Sequence, residues 1–266
     1  MQGLDFYELI GFRSDHPEPH HGPPDAPRLD RVVIFLNFDG TLVDIVSFPD
    51  PVSVPAATRA LVNELHQRTG GATVLLSGRS MRDLDRFFPD FPGTIIGSHG
   101  AEQRIGGKLW QHSAKDSREL ARLVQMIRGW ADSEPDLLVE EKPCSVVQHF
   151  NRAPDRMAEA LNFMECVAAH SEGFVLHRVK LKTAAEILPD NVSKHQAVEA
   201  LMKQWPSRTP IAFGDDLGDE DVFEAVNRFG GQSIKVGDGD TCAMFRLAGP
   251  GEVHDTLLDW LGTAVR

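Results

Sequence analysis

Five short apolar segments of the chain each end in a turn that contains glycine, serine or an acidic residue. Three lie near the start, VVIFLNF at 32–38, ATVLLS at 72–77 and GTIIGS at 93–98, and two lie later, PIAFGDD at 210–216 and QSIKVGD at 232–238. Continuous apolar segments of this length are typical of strands buried on both faces of a parallel sheet. Helical patterns follow several of them, which predicts a doubly wound, Rossmann-like α/β parallel sheet.

The pattern changes between residues 109 and 186. Two amphipathic helical stretches occur there, one with Leu120, Leu123 and Ile127 on a single face, and each is followed by two strand-like segments. This αββαββ order predicts a small layer inserted into the first domain, where it would form a cap over the carboxyl ends of the strands. Caps of this kind supply specificity and exclude water.

The segment from residue 13 to residue 28 combines five prolines with three histidines and has little apolar content. Such a composition cannot form a packed core, and it predicts a mobile leader. The chain is therefore divided into three parts: a leader over 1–29, a core made of 30–108 and 187–266, and a cap over 109–186.

Composition and charge narrow the classes of partner. The formal net charge of −12 argues against nucleic acid and membrane surfaces, because both are polyanions that bind basic faces. No apolar run is long enough to span a membrane. Three widely spaced cysteines without a C-x-x-C pair favour free thiols and a cytoplasmic location. The absence of a heptad repeat favours a monomer.

The segment NFDGTL at 37–42 follows the first predicted strand. Asp39 stands two residues after Asn37, so that polar groups of both residues converge at the end of the strand. Gly40 permits a tight turn, and Thr41 offers a hydroxyl group and a backbone amide to a phosphate. Taken alone, the same segment is also compatible with a simple turn.

The segment GDDLGDE at 214–220 places four carboxylates at the end of another predicted strand: Asp215, Asp216, Asp219 and Glu220. Their mutual repulsion in a medium of low dielectric is relieved by a hard divalent cation, and an all-oxygen cluster favours Mg²⁺. The alternative is a solvated acidic start of a helix, which the helix dipole also favours.

Two further residues stand at the ends of predicted elements. Ser77, in LSGRS, could donate a hydrogen bond to a phosphoryl oxygen, although a serine helix cap is an equally good interpretation. Lys194, in SKHQA, stands at a predicted helix start, where a lysine is electrostatically unfavourable. A surface lysine is the commoner explanation of such a residue taken by itself.

Taken together and in order, these four motifs resemble those of the haloacid dehalogenase superfamily of phosphotransferases. Further segments resemble the trehalose-6-phosphate phosphatases within that superfamily, namely GSHGAE (97–102), EEKPCSVVQHFNRAP (140–154) and KTAAEILPDNVSK (182–194). The resemblance extends over roughly residues 30–262.

The resemblance implies a two-step displacement that starts from an aspartate at position 37, with Asp39 as the acid and base. Thr41, Ser77 and Lys194 would hold the phosphoryl oxygens. Mg²⁺ would be bound by position 37, Asp39, Asp215 and Asp216, with support from Asp219. The substrate-binding residues that the resemblance suggests are Gly78, Arg79, His99, Glu141, Lys142, His149, Arg152, Lys182 and Glu186.

Asn37 departs from the family pattern at its nucleophile. A carboxamide is neutral and cannot form the acyl-phosphate, yet it keeps the shape of aspartate and can ligate Mg²⁺ through its oxygen. We therefore expect a chain that folds and binds metal and substrate but hydrolyses very slowly. An engineered Asp-to-Asn change and a natural pseudo-phosphatase are both compatible with the sequence. A second departure, His149-Phe150-Asn151 in place of H-Y-R, affects one expected sugar contact.

Three functional hypotheses follow from these observations. The first is a trehalose 6-phosphate phosphatase with a small-molecule substrate. The second is a capped phosphatase for another sugar phosphate, such as a glucosyl-glycerol phosphate. The third is a catalytically silent sugar-phosphate-binding protein, for which an intact acid/base at Asp39 would have no use.

Overall fold

The structure is a computed structural model that describes residues 17–46, 52–178 and 184–262. Elements are numbered in chain order. The larger of two sheets contains β1 (His20–His21), β2 (Val32–Asn37), β3 (Thr73–Leu76), β4 (Thr94–Gly97), β5 (Glu102–Ile105), β6 (Lys108–Gln111), β11 (Thr209–Gly214), β12 (Gln232–Val236) and β13 (Phe245–Leu247). Their order across the sheet is β1-β13-β12-β11-β2-β3-β4-β5-β6. The strands from β1 to β4 in that order pair in parallel, and β5 and β6 pair antiparallel.

Helices cover both faces of this sheet: α1 (Ala56–Arg68), α2 (Met81–Phe87), α5 (Lys194–Met202), α6 (Leu217–Arg228) and α7 (Pro250–Trp260). Alternate residues of β2 separate the two layers. Ile34 and Leu36 belong to the apolar cluster that contains α1, α2 and α7, and Val33 and Phe35 belong to the one that contains α5 and α6. A strand with two buried faces has no polar alternation, which is why its sequence is continuously apolar.

The smaller sheet is antiparallel and contains β7 (Leu138–Glu141), β8 (Val146–His149), β9 (Phe174–Arg178) and β10 (Ala184–Pro189), in the order β7-β8-β10-β9. Helices α3 (Arg118–Ala131) and α4 (Met157–Ala169) pack on one face of it through Leu123, Ile127 and Met164. The predicted doubly wound α/β core with an inserted αββαββ cap is confirmed.

The hairpin β5–β6 was not predicted. It extends the large sheet past β4, so the predicted cap start at residue 109 falls inside β6, and β10 runs to Pro189, beyond the predicted cap end at 186. The hairpin turns at Gly106 and Gly107, which both have positive φ, and a Gly-Gly pair between two short strands is a recognised hairpin signal. The sequence thus contained this signal, and it was missed.

The predicted leader is paired with the sheet from His20 onward. The His20 N–H donates to the Met244 carbonyl at 2.9 Å, and the Gly22 N–H donates to the Arg246 carbonyl at 2.9 Å. This part of the segment is therefore not the mobile leader that its composition predicted. The pairing uses main-chain groups, and for that reason the side-chain pattern gave no sign of it. Residues 1–16 lie outside the described residues. None of the helices in the described part of the chain has the length and apolar composition that crossing a bilayer requires.

Candidate active site

Four neighbouring parallel strands, β11, β2, β3 and β4, end at one edge of the large sheet. Asp215 follows β11, Asn37 ends β2, Ser77 follows β3 and His99 lies just beyond β4. Parallel topology alone therefore brings these residues together. Gly40 has φ of 73°, and a side chain there would run into the Asp215 carboxylate, so the turn after β2 requires glycine.

The side-chain amide of Asn37 is buried, and both of its ends are hydrogen-bonded. Its Nδ2 donates to the Asp39 carbonyl oxygen at 2.9 Å and to Asp215 Oδ1 at 2.7 Å. Its Oδ1 accepts from Lys194 Nζ at 3.2 Å. An ionised aspartate offers acceptor oxygens only, so this set of contacts is specific to an amide.

Lys194 begins α5 and is buried against Asp219, with Nζ 2.8 Å from Oδ1. Burial alone would raise the pKa of Asp219, but the Lys194 ammonium outweighs it, and the pKa lies below its ordinary value. Burial alone would lower the pKa of Lys194, but the Asp219 carboxylate raises it. Both groups are therefore charged at neutral pH, and Lys194 presents a fixed positive charge beside Asn37.

Asp216 acts as the N-cap of α6. Its Oδ1 accepts the Leu217 N–H at 2.7 Å. Its side chain also accepts the Asp219 N–H, and its own backbone N–H donates to Asp219 Oδ2 at 3.0 Å, so the two residues form a capping box. Burial and the neighbouring Asp219 carboxylate raise the pKa of Asp216. The predicted metal ligand thus has a structural role at the start of the helix, as the alternative interpretation of GDDLGDE allowed.

Glu220, the fourth carboxylate of GDDLGDE, does not join the others. It is buried against Lys235, with Oε1 3.0 Å from Nζ, and Oε2 accepts from the Thr241 hydroxyl and the Cys242 N–H. Spacing alone did not reveal that this carboxylate has a cation of its own.

Arg79 and Asp39 form a two-pronged ion pair. Arg79 Nε and Nη2 donate to the two carboxylate oxygens at 2.8 and 2.7 Å. About a quarter of each side chain is exposed, so the pair is open to the cleft. Sequence analysis suggested Arg79 as a substrate-binding residue and Asp39 as the acid and base, but it did not predict that the two residues bind each other.

Two hydroxyl groups are buried at the strand ends. The Ser77 hydroxyl accepts the Arg79 N–H at 3.0 Å. The Thr41 hydroxyl has no hydrogen-bond partner among the described residues. A buried hydroxyl without a partner is costly, and an added polar group in the cleft would satisfy it.

The oxygens around Asn37 fit a hard cation. The Asp39 carbonyl oxygen and Asp215 Oδ1 converge on one point, which the Asn37 Nδ2 occupies as a donor. Across the described ranges, no group of three or more His, Cys, Asp or Glu side chains is arranged to hold a metal. A cation at this point would therefore depend on the Asp39 carbonyl and on the amide oxygen of Asn37 as well as on Asp215.

The cap contacts the core through Lys142 and Glu186. Lys142 Nζ lies 3.0 Å from both the Gly78 carbonyl oxygen and Glu186 Oε2, and His99 Nε2 lies 3.3 Å from the same Oε2. Burial alone would raise the pKa of Glu186, but Lys142 and His99 hold it below its ordinary value. His99 itself has φ of 56°, an uncommon conformation for a residue other than glycine. This cluster brings together four of the predicted substrate-binding residues.

The strand β7 faces the cleft with Glu140 and not with Glu141. Glu140 Oε2 lies 2.8 Å from His149 Nε2, whereas Glu141 forms an ion pair at 2.7 Å with Arg128 of α3. Burial alone would raise the pKa of Glu140, but the His149 contact lowers it. Glu141, the predicted substrate-binding residue, therefore lies on the opposite face of the strand from Glu140, because successive side chains of a strand alternate between faces. Its predicted role stays a prediction.

Two of the predicted cap residues remain, Arg152 and Lys182. Arg152 is exposed in the turn after β8. Lys182 lies outside the described residues. The predicted roles of both residues stay predictions.

Sequence analysis missed His177, on β9. It pairs across the strands with Glu186, its ring centroid lies 4.5 Å from that of His99, and its Nε2 is buried without a partner among the described residues. Burial, followed by the neighbouring His99, lowers the pKa of His177 to about 3. A lone histidine in a strand segment carries no signal that could have identified it.

A solved haloacid dehalogenase-like hydrolase from B. subtilis shares this fold, with a TM-score of 0.60 over 85% of this chain and 98% of that one at 16% identity. A crystal structure of a trehalose-6-phosphate phosphatase related protein matches with a TM-score of 0.70 and 28% identity, over 86% of this chain and 97% of that one. The fold is therefore that of haloacid dehalogenase-like hydrolases.

The family model for trehalose-phosphatase matches residues 35–247. The probable trehalose-phosphate phosphatase of Sinorhizobium fredii (strain NBRC 101917 / NGR234) is 36% identical over 214 residues, which cover 79% of each chain. The chain belongs to the trehalose-phosphatase family, a family of phosphoric monoester hydrolases. The resemblance predicted from the sequence motifs is confirmed.

Proposed function

We propose that this chain is a Mg²⁺-dependent trehalose 6-phosphate phosphatase in fold and site, which binds its substrate but hydrolyses it very slowly. The observation that carries the proposal is the Asn37 amide, held between Lys194, Asp39 and Asp215 at the position of the nucleophile. The proposal includes a cytoplasmic location and a monomer.

The strand-end residues would bind the phosphoryl group. Lys194 is already charged beside position 37, and the unpartnered Thr41 hydroxyl and the Ser77 hydroxyl would donate to phosphoryl oxygens. Mg²⁺, when bound by Asn37, the Asp39 carbonyl and Asp215, supplies positive charge that offsets the phosphoryl oxygens. Positioning and charge neutralisation account for most of the acceleration in this chemistry.

Asp39 would supply the proton. With an aspartate at position 37, its Oδ forms a bond to phosphorus, the bond from phosphorus to the sugar oxygen breaks, and Asp39 protonates that oxygen. Asp39 then takes a proton from the water that hydrolyses the acyl-phosphate. Arg79 must leave Asp39 first, because its two donors occupy both oxygens of the carboxylate. The neutral amide of Asn37 cannot perform the first step.

The cap would bind the sugar. Lys142 contacts both the Gly78 carbonyl oxygen and Glu186, and Glu140 and His149 lie on the same face of the cap sheet as Glu186. Carboxylates and ammonium groups are suitable partners for sugar hydroxyls, because each hydroxyl both donates and accepts.

The test is the release of phosphate from trehalose 6-phosphate with Mg²⁺, by this chain and by Asn37→Asp. We expect a rise of at least about a thousandfold in the substituted chain, since covalent catalysis becomes possible. Asn162→Asp, the same change on the exposed face of α4, is the matched control and leaves the rate unchanged. Equal rates in this chain and in Asn37→Asp would refute the assigned role of position 37.

A panel of phosphorylated sugars tests the substrate. Asn37→Asp should prefer trehalose 6-phosphate, and a preference of tenfold or more for a monosaccharide phosphate would overturn that assignment. If Asn37→Asp binds the sugar phosphate in calorimetry but hydrolyses none of the panel, the silent sugar-phosphate-binding protein becomes the better description.

A further inference from the structure

The two ends of the Asn37 amide face different parts of the site. Nδ2 points at the Asp39 carbonyl oxygen and Asp215 Oδ1, the two oxygens that would hold the cation, and Oδ1 points at Lys194 Nζ. The amide nitrogen therefore makes the contacts with these oxygens that a cation would otherwise make. Its N–H groups relieve the concentration of acceptors at the end of β2 without any metal.

Binding Mg²⁺ at this point requires an oxygen from position 37, and the amide has only one. To present Oδ1 to the ion, the amide has to rotate about its χ2 bond, which turns Nδ2 toward Lys194. Two donors would then face each other where a hydrogen bond of 3.2 Å exists now. Lys194 cannot move away freely, because it is buried and paired with Asp219 at 2.8 Å.

A phosphate in the cleft removes this conflict. One phosphoryl oxygen can accept from the rotated Nδ2 and from Lys194 Nζ, so both donors regain a partner. An aspartate at position 37 meets no such conflict, because its two oxygens are equivalent, and one can face the cation while the other faces Lys194.

We propose that Asn37 makes Mg²⁺ and phosphate binding mutually dependent in this chain, beyond the direct attraction between the two ligands. Without phosphate the amide favours its own hydrogen bonds over the ion, and with phosphate it favours the ion. This inference rests on the proposed function, because it takes the strand-end cluster to be the metal and phosphate site. By linkage, the metal must strengthen phosphate binding by the same factor.

The experiment is calorimetric titration of Mg²⁺ into the full chain, with and without saturating inorganic phosphate, and the same pair of titrations for Asn37→Asp. We expect phosphate to increase Mg²⁺ affinity in this chain by a factor about tenfold larger than in Asn37→Asp. Titration of Mg²⁺ into phosphate alone corrects for complex formation in solution. Asp215→Asn, which removes the one carboxylate ligand, should abolish the Mg²⁺ signal in both conditions.

Asn37→Ala provides a second variant that places no new charge beside Asp215. It removes the amide altogether, so its coupling factor should fall to that of Asn37→Asp or below. Equal coupling factors in this chain, Asn37→Asp and Asn37→Ala would overturn the inference. So would a Mg²⁺ affinity without phosphate that is as high in this chain as in Asn37→Asp. Neither result would contradict the proposed function, which is tested separately by phosphate release from trehalose 6-phosphate by Asn37→Asp.

Discussion

The core and the cap each form one wall of the cleft, and they place their polar groups by different means. On the core wall, Asn37, Asp215 and Ser77 stand where parallel strands end, and main-chain groups share in their contacts. On the cap wall, Glu140 and Glu186 project from one face of an antiparallel sheet. Topology fixes the first set of positions, and strand register fixes the second.

The proposed function assigns the reaction step to the core wall and the recognition of the sugar to the cap wall. A strand end stays at the same edge of the sheet whatever residues occupy the strand, so the core wall tolerates change without losing its geometry. A shift of one residue on the cap wall exchanges the side chains that face the cleft, as Glu140 and Glu141 show. We therefore expect core substitutions to affect the reaction step and cap substitutions to affect substrate affinity.

The largest effect is expected on the core wall. In the Asn37→Asp chain, Asp39→Asn should reduce kcat by about 100- to 10,000-fold, because proton transfer to the leaving oxygen is lost. Steady-state phosphate release measures this loss, and KM should change little. The matched change Asp90→Asn, at an exposed position, should leave kcat unaltered. A loss confined to KM would mean that Asp39 binds the substrate and transfers no proton.

The next effect concerns the buried ion pair between Lys235 and Glu220 in the core, away from the strand-end residues. Lys235→Met should cost about 3–5 kcal/mol of unfolding free energy, because it leaves the Glu220 carboxylate buried and without a cation. Urea denaturation measures it, and Lys203→Met, at an exposed lysine, is the control. Unchanged stability would show that Glu220 finds water or another partner.

The register of the cap wall gives a smaller effect. In the Asn37→Asp chain, Glu140→Gln should raise KM for trehalose 6-phosphate about tenfold, the equivalent of about 1.4 kcal/mol. Glu141→Gln should change KM by less than about twofold, because its partner Arg128 lies on the helical side of the sheet. The opposite result would support the predicted substrate-binding role of Glu141.

The last effect concerns pH. The pKa of His177 is lowered to about 3, so between about pH 6.5 and pH 3 the unfolded chain binds a proton that the folded chain does not. Above pH 6.5 this residue therefore does not reduce the free energy of unfolding. Below pH 6.5 the free energy of unfolding decreases as the pH is lowered, by at most about 1.4 kcal/mol per pH unit.

Unfolding free energies at pH 7.5, 6 and 5 measure this dependence. His177→Gln should flatten the pH profile, and His170→Gln, at an exposed histidine of the cap, should leave it as it is. Parallel profiles for the original chain and His177→Gln would contradict the burial of a neutral imidazole.

Sequence reasoning succeeded where position follows from topology. The continuously apolar strands predicted the sheet, and their ends predicted the meeting of Asn37, Asp39 and Asp215. The place of Lys194 beside them followed only from the family resemblance. It failed for contacts that depend on packing in three dimensions, since no spacing rule tells that Glu220 has a cation of its own or that Arg79 clasps Asp39. The sequence also did not predict the direction of the Asn37 amide, because its oxygen and nitrogen are distinguished only by their hydrogen-bond partners in the folded protein.

The proline-rich segment before residue 29 closes one edge of the larger sheet. Strand β1 has only two residues, and it stands between Pro17 and Pro19 on one side and Pro23 and Pro24 on the other. Proline has no N–H group, so this short strand can pair with β13 while offering few donors to a further strand. Removal of the segment would leave the main chain of β13 open, and the shortened protein would then be able to self-associate edge to edge.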